Sequence, residues 1–300
     1  MKKIAVIFIL LFAMVLGGAN AEPNQGIAVE CDNGASFENG IKVTVIQMRS
    51  GFNYTATAIG IDDFDPVLAV LDEDGRGLCS DNTADADYYQ ALLPTTGEVE
   101  PSDNTAQVVF AQRSREAFAD VSLVVGEAED NEGEFVLILE GMAATEADGA
   151  GDIYSVQLTP NLINSGVPLS VYMISVTTAL DPLMYIPNSD NVREAVEDND
   201  GDPMLCDDSG NENSCWGESE NLSDSGVSRT NNRSLAGGGL DAMLSLDIEG
   251  LELPDDDEDY FYYFVATSYQ QTTFGDYVMV FHLGSGEEES GNRRRSGGDK

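Results

Sequence analysis

The sequence predicts an all-β protein, built as two tandem antiparallel β-sandwich domains behind a signal peptide. Three observations lead there. The chain is a series of short runs rich in Val, Ile, Thr, Tyr and Phe, separated by clusters of Gly, Asn and Asp. Long helical periodicity is absent, and evenly punctuated short strands are the mark of sandwiches and barrels. The order of the motifs along the chain also occurs twice, which points to an internal repeat.

The chain opens with Met1-Lys2-Lys3, an apolar run over 4–16, and Gly17-Gly18-Ala19-Asn20-Ala21. A short basic stretch, an apolar core and a small-x-small cleavage site in that order read as a signal peptide over 1–21. The apolar run falls short of the roughly 20 residues that span a bilayer. No second long apolar segment follows, so no membrane insertion is expected and the protein is expected to be secreted, extracellular or periplasmic.

Without Lys2 and Lys3 the formal charge moves from −40 to −42, with Lys42 and Lys300 the remaining lysines. Such a surface repels nucleic acid and anionic membranes, and it strains the fold by self-repulsion unless salt or cations screen it. The partners left are an extracellular protein or a polysaccharide. Four cysteines, Cys31, Cys79, Cys206 and Cys215, lie in a chain bound for an oxidising compartment. Three pairings are possible, and sequence alone does not choose among them. The repeat favours Cys31–Cys79 and Cys206–Cys215, one bridge in each copy.

The first domain is expected over 22–145, with strands at 41–48, 54–61, 67–71, 107–111, 121–125 and 135–139. The second is expected over 146–284, with strands at 154–158, 169–177, 183–186, 242–248, 260–266 and 277–283 and an inserted loop at 209–239. Residues 285–300, with Arg293-Arg294-Arg295, read as a disordered tail. The matches between the copies are specific. Ser50-Gly51 leads through a strand to Asp65-Pro66-Val67-Leu68, and Ser165-Gly166 leads to Asp181-Pro182-Leu183-Met184. Asp72-Glu73-Asp74-Gly75 precedes Leu78-Cys79, and Asp198-Asn199-Asp200-Gly201 precedes Leu205-Cys206. Gly133-Glu134-Phe135 and Gly275-Asp276-Tyr277 open the closing strands. Asp before Pro suits the start of a strand, because Pro fixes φ and keeps its predecessor extended. Asp-x-Asp-Gly is a turn in which Gly supplies positive φ.

At these residues, and at Gly151-Asp152-Ile153-Tyr154, the chain resembles the bacterial pre-peptidase C-terminal domain over 27–143 and 150–284. The resemblance implies two β-sandwiches of jelly-roll-like topology, and a non-catalytic role beside secreted hydrolases.

Catalytic parts are sparse. His282 is the one histidine, set between Phe281 and Leu283 in a strand, and no Gly-x-Ser-x-Gly elbow accompanies it. Zinc would need several His or Cys ligands. The expectation is therefore a protein that is not an enzyme. Ca²⁺ is the better fit, because closely spaced carboxylates supply its six to eight oxygen ligands. The candidate ligands are Asp198, Asp200, Asp202, Asp207 and Asp208, with Asp72, Asp74 and Asp81 as the first-copy set. Neither set has EF-hand spacing. The 198–208 run is similar to the Asp-Asn-Asp-Gly runs of thrombospondin-type calcium repeats. A carbohydrate-binding alternative rests on the strand Tyr260-Phe261-Tyr262-Tyr263-Phe264, where alternation puts Phe261 and Tyr263 on the face opposite the other three, and on Trp216.

Overall fold

The structure is a computed structural model, and it describes residues 26–31, 34–81, 90–93, 97–99, 105–112, 116–127, 132–145, 151–177, 179–187, 205–207, 226–229, 233–234, 241–253, 259–268 and 273–286. The signal-peptide region, the 285–300 tail beyond Gly286, and Asp198, Asp200, Asp202, Asp208 and Cys215 lie outside those residues.

The first half of the chain forms β1 (Ile27–Glu30), β2 (Ser36–Arg49), β3 (Asn53–Ile61), β4 (Pro66–Leu71), β5 (Gly77–Asp81), β6 (Gln90–Leu93), β7 (Gly97–Val99), β8 (Thr105–Ala111), β9 (Phe118–Glu127) and β10 (Gly133–Ala144). The second half forms β11 (Asp152–Leu158), α1 (Pro160–Asn164), β12 (Leu169–Ser175), β13 (Pro182–Ile186), β14 (Leu205–Asp207), β15 (Gly226–Arg229), β16 (Arg233–Ser234), β17 (Ala242–Leu246), β18 (Tyr260–Ser268) and β19 (Gly275–Ser285). All twelve expected strands are present. The predicted turn after β4 forms with Gly75 at φ 72°, and Asp72 accepts backbone N–H groups from Asp74 and Arg76.

The strands make an all-β antiparallel sandwich. One sheet of nine strands runs β14-β13-β18-β11-β2-β9-β4-β5 with β1 added on β2, and a facing sheet of six runs β17-β12-β19-β10-β3-β8. In both orders the second half mirrors the first. The mirror planes fall at β11–β2 and β19–β10, which are themselves antiparallel hydrogen-bonded pairs. β10 and β19 pair from Gly133 with Ser285 to Ala144 with Gly275. The two copies of the repeat are thus halves of one continuous pair of sheets, sharing a single core. That core joins Val43, Leu68 and Leu137 of the first half to Val156, Met173 and Phe281 of the second, all fully buried.

Two local devices shape the first half. Cys31, just past β1, is bonded to Cys79 of the edge strand β5, with Cα atoms 5.7 Å apart. The bridge holds the β1–β2 hairpin over the outer side of β9 and β4, where Phe37 packs with Val67, Ala69 and Val124. The Phe37 ring lies where side chains at Gly40 and Gly126 would stand, since a Cβ there would come within 2.3 Å and 2.2 Å of it. In the second half α1, capped by Thr159 with Pro160 in its first turn, buries Leu162 in the core.

Candidate functional site

The β4–β5 turn, the end of β8 and the start of β9 surround an open cavity of about 400 Å³ between the two sheets of the first half. Its floor is apolar, made by Val70, Phe110 and Val121, and its rim carries Asp72, Glu73, Asp74, Arg76 and Asp120. The rim carboxylates differ in how far they are committed. Asp120 accepts the Gln47 N–H at 2.8 Å, and Gln47 is a left-handed residue (φ 59°) in the bulge of β2 that lies between Val45 and Met48. Glu73 accepts the Asp120 N–H at 3.2 Å. Asp72 is spent on its own turn. Asp74 is exposed, 3.5 Å from the equally exposed Arg76 guanidinium. One edge of the cavity is lined by Leu78, a large hydrophobic that is 53% exposed.

The candidate calcium ligands of the first half do not gather here. Asp72 and Asp74 sit on the turn, whereas Asp81 closes β5 opposite Val67, which puts it roughly 13 Å along the strand from Gly77. Among the described residues no three His, Cys, Asp or Glu side chains come together to hold a metal ion. A cation site made from Asp72, Asp74 and Asp81 does not fit this geometry. Asp207 lies in β14, paired with Met184.

Behind the cavity floor, Phe110 packs on Tyr54 with ring centroids 5.7 Å apart. Tyr54 leads into a polar cluster at the seam between the halves. Its hydroxyl donates to the Arg49 carbonyl at 3.0 Å, and Arg49 donates to Thr145 at 2.7 Å. Tyr277 donates to Asp152, and the Tyr154 and Tyr277 hydroxyls are 2.9 Å apart. Burial pushes the Asp152 carboxyl up to about 6, against the opposing pull of the Tyr277 hydrogen bond and Arg49. Burial, with the Asp152 charge adding to it, pushes Tyr54 up to about 12 and holds Tyr154 and Tyr277 well above the ordinary phenol range. These tyrosines stay protonated and serve as hydrogen-bond donors rather than bases.

The chain matches no protein-family model, and no curated protein or solved structure matches it at a significant level.

His282 lies on the outer side of the six-stranded sheet, buried, with Nε2 3.0 Å from Glu134. Burial lowers its pKa, and Glu134 opposes that shift. Its cross-strand neighbour Ser170 is hydrogen-bonded to Ser245 at 2.9 Å. The aromatic strand divides as alternation predicts. Tyr260 and Tyr262 pack on the main core with the buried Phe264, while Phe261 and Tyr263 face outward, 6.1 Å apart. Lys42 Nζ stands 5.2 Å from the centre of the Phe261 ring, and Tyr185 joins Tyr263 around Val265. Trp216 is outside the described residues.

The sequence singles out Asp72 and Asp74 of the rim and the aromatic strand, but not Asp120 or the Asp152 cluster. Its components were visible as Gly-Asp-x-Tyr and Gly-Asp-Tyr motifs. Their convergence depends on β11 and β19 meeting at the seam, which no local pattern encodes.

Proposed function

We propose that this protein works outside the cytoplasm as a non-catalytic binding or adhesion protein, alone or as an accessory to secreted hydrolases, and takes its ligand at the carboxylate-rimmed cavity of the first half. The observation that carries this is the cavity itself. It is concave and open, has an apolar floor, and stands on a rigid sandwich braced by a disulfide, the setting in which ligand sites are commonly found. The disulfide agrees with an oxidising compartment and so supports export. The rim suits a ligand with positive groups and an apolar body, such as a basic peptide segment or an amino-sugar polymer. The likeness to pre-peptidase C-terminal domains supports an accessory role, and its Asp-Pro-x-Leu/Met motifs occupy equivalent places in β4 and β13.

The test is retention on immobilised chitosan, alginate and cellulose, comparing the wild type with a Glu73→Gln/Asp74→Asn variant. Two charges of −42 barely change general attraction, so a several-fold loss on chitosan would locate binding at the rim. Equal retention of both proteins would discard the site.

Calcium belongs to the same proposal only at Asp198, Asp200, Asp202, Asp207 and Asp208, where it rests on ligand spacing in the sequence. Millimolar Ca²⁺ should raise the Tm of the mature protein, and an unmoved Tm would remove calcium from the account. A second reading, polysaccharide binding on the outer face of the nine-stranded sheet, is favoured by the part-exposed pair Phe261 and Tyr263. Phe261→Ala would then weaken retention on neutral polymers and leave chitosan retention unchanged.

A further inference from the structure

We infer that the small sheet β16-β15-β6-β7 is a third layer of the molecule, lying on the outer face of the six-stranded sheet and tying the two halves together there. In a two-layer sandwich the outward side of each sheet meets water and is polar at alternate positions. Here the outward residues of the six-stranded sheet include a contiguous apolar patch of Ile59, Val136, Ile138, Tyr172, Val278 and Val280, each at most 1% exposed. An apolar surface of this extent is rarely left bare on a soluble protein. Polar pairs border it: Ser170 with Ser245, His282 with Glu134, and Gln107 with Thr57 at 3.0 Å. At its β8 margin Val109 is 63% exposed, so the cover stops there.

Topology says what the cover is. The chain leaves the nine-stranded sheet at β5 in one half and at β14 in the other, which are opposite ends of that sheet. It returns to the six-stranded sheet at β8 and β17, again opposite edges. Between leaving and returning, the two excursions meet, because β6 pairs with β15 through Ala91 and Val227. Strands that start from opposite edges can pair only after crossing a face or an end of the sandwich. Five strand spacings separate β8 from β17, about 24 Å at the usual 4.8 Å per spacing. Residues 82–89 alone can reach up to about 27 Å when extended. The outer face of the nine-stranded sheet is the weaker choice: β1 already covers part of it, and Lys42, Thr44, Ser122 and Tyr263 on it are only half-buried. The apolar, closed face of the six-stranded sheet is the one the small sheet fits.

The test uses the full chain with a photoreactive benzophenone side chain at Ala91 in one variant and at Leu92 in another. Successive strand residues point to opposite sides, so one of the two must face the covered sheet. The expected result is cross-linking from one position into peptides of β10, β12 or β19, at least five-fold above the other position. Far-UV circular dichroism and an intact Cys31–Cys79 bridge confirm that the labelled chains are folded. Cross-links confined to the nine-stranded sheet, or none into the six-stranded sheet from either position, overturn the inference.

Discussion

Replacing Asp152 by Asn should stabilise the protein at pH 8 and leave it nearly unchanged at pH 4. Desolvation pushes the carboxyl up from an ordinary 3.8 to about 6 in the folded chain, although the residue as a whole is only half-buried. The folded state therefore holds this proton to higher pH than the unfolded state does. As far as this group is concerned, stability is greatest below about pH 4, falls as pH rises towards 6, and stays lower above it. The gap between the two values corresponds to about 3 kcal/mol. Asn keeps an oxygen to accept from Tyr277 and removes the desolvated charge. It also removes the attraction of Arg49, which already acts within the value of 6. The gain at pH 8 is then up to about 3 kcal/mol, a rise of several degrees in Tm for a chain of this size. Self-repulsion of the acidic surface also weakens the fold as pH rises, so the quantity to measure is the difference between variant and wild type. Urea titrations at pH 4, 6 and 8 provide it. A variant less stable than the wild type at pH 8, or a difference that does not grow between pH 4 and pH 8, would refute the reasoning.

Three further outcomes are expected. Removing the disulfide by Cys31→Ala/Cys79→Ala opens a loop closed over 48 residues and should cost about 4 kcal/mol on the chain-entropy account, read as a lower urea midpoint. Gly60→Ala should destabilise severely, because its Cβ would stand 1.8 Å from the Phe64 carbonyl oxygen; a midpoint within experimental error of the wild type would contradict the close approach. On the outer side of the six-stranded sheet, Val109→Lys should leave stability within about 0.5 kcal/mol, while Ile138→Lys should cost more than 3 kcal/mol. Equal effects at the two positions would mean that the face is not covered as described.

Much of the fold was legible because strand signals are local. Runs of β-branched and aromatic residues between Gly and Asp clusters placed twelve strands to within a few residues, except that β2 and β10 run on by five at one end. The Asp-x-Asp-Gly turn announced a positive φ at Gly75. Long-range pairing was less visible. Nothing local states that β2 will bond to β11 rather than end a separate domain, so the repeat read as tandem domains while the folded chain joins its copies through both sheets. One clue was present: Phe135-Val136-Leu137-Ile138-Leu139 and Tyr277-Val278-Met279-Val280-Phe281 are apolar on both faces, the pattern of a strand covered on two sides. The helix α1 is not among the expected elements, although Thr159-Pro160 is a capping signal. Proximity in sequence also misled for the first-half aspartates, because the extended β5 carries Asp81 away from Asp72 and Asp74.

The fusion of the two halves into one core is tested most directly by scanning calorimetry of the full chain. A shared core predicts one cooperative transition with equal calorimetric and van't Hoff enthalpies. Two separable transitions, each sensitive to mutations in one half alone, would contradict it.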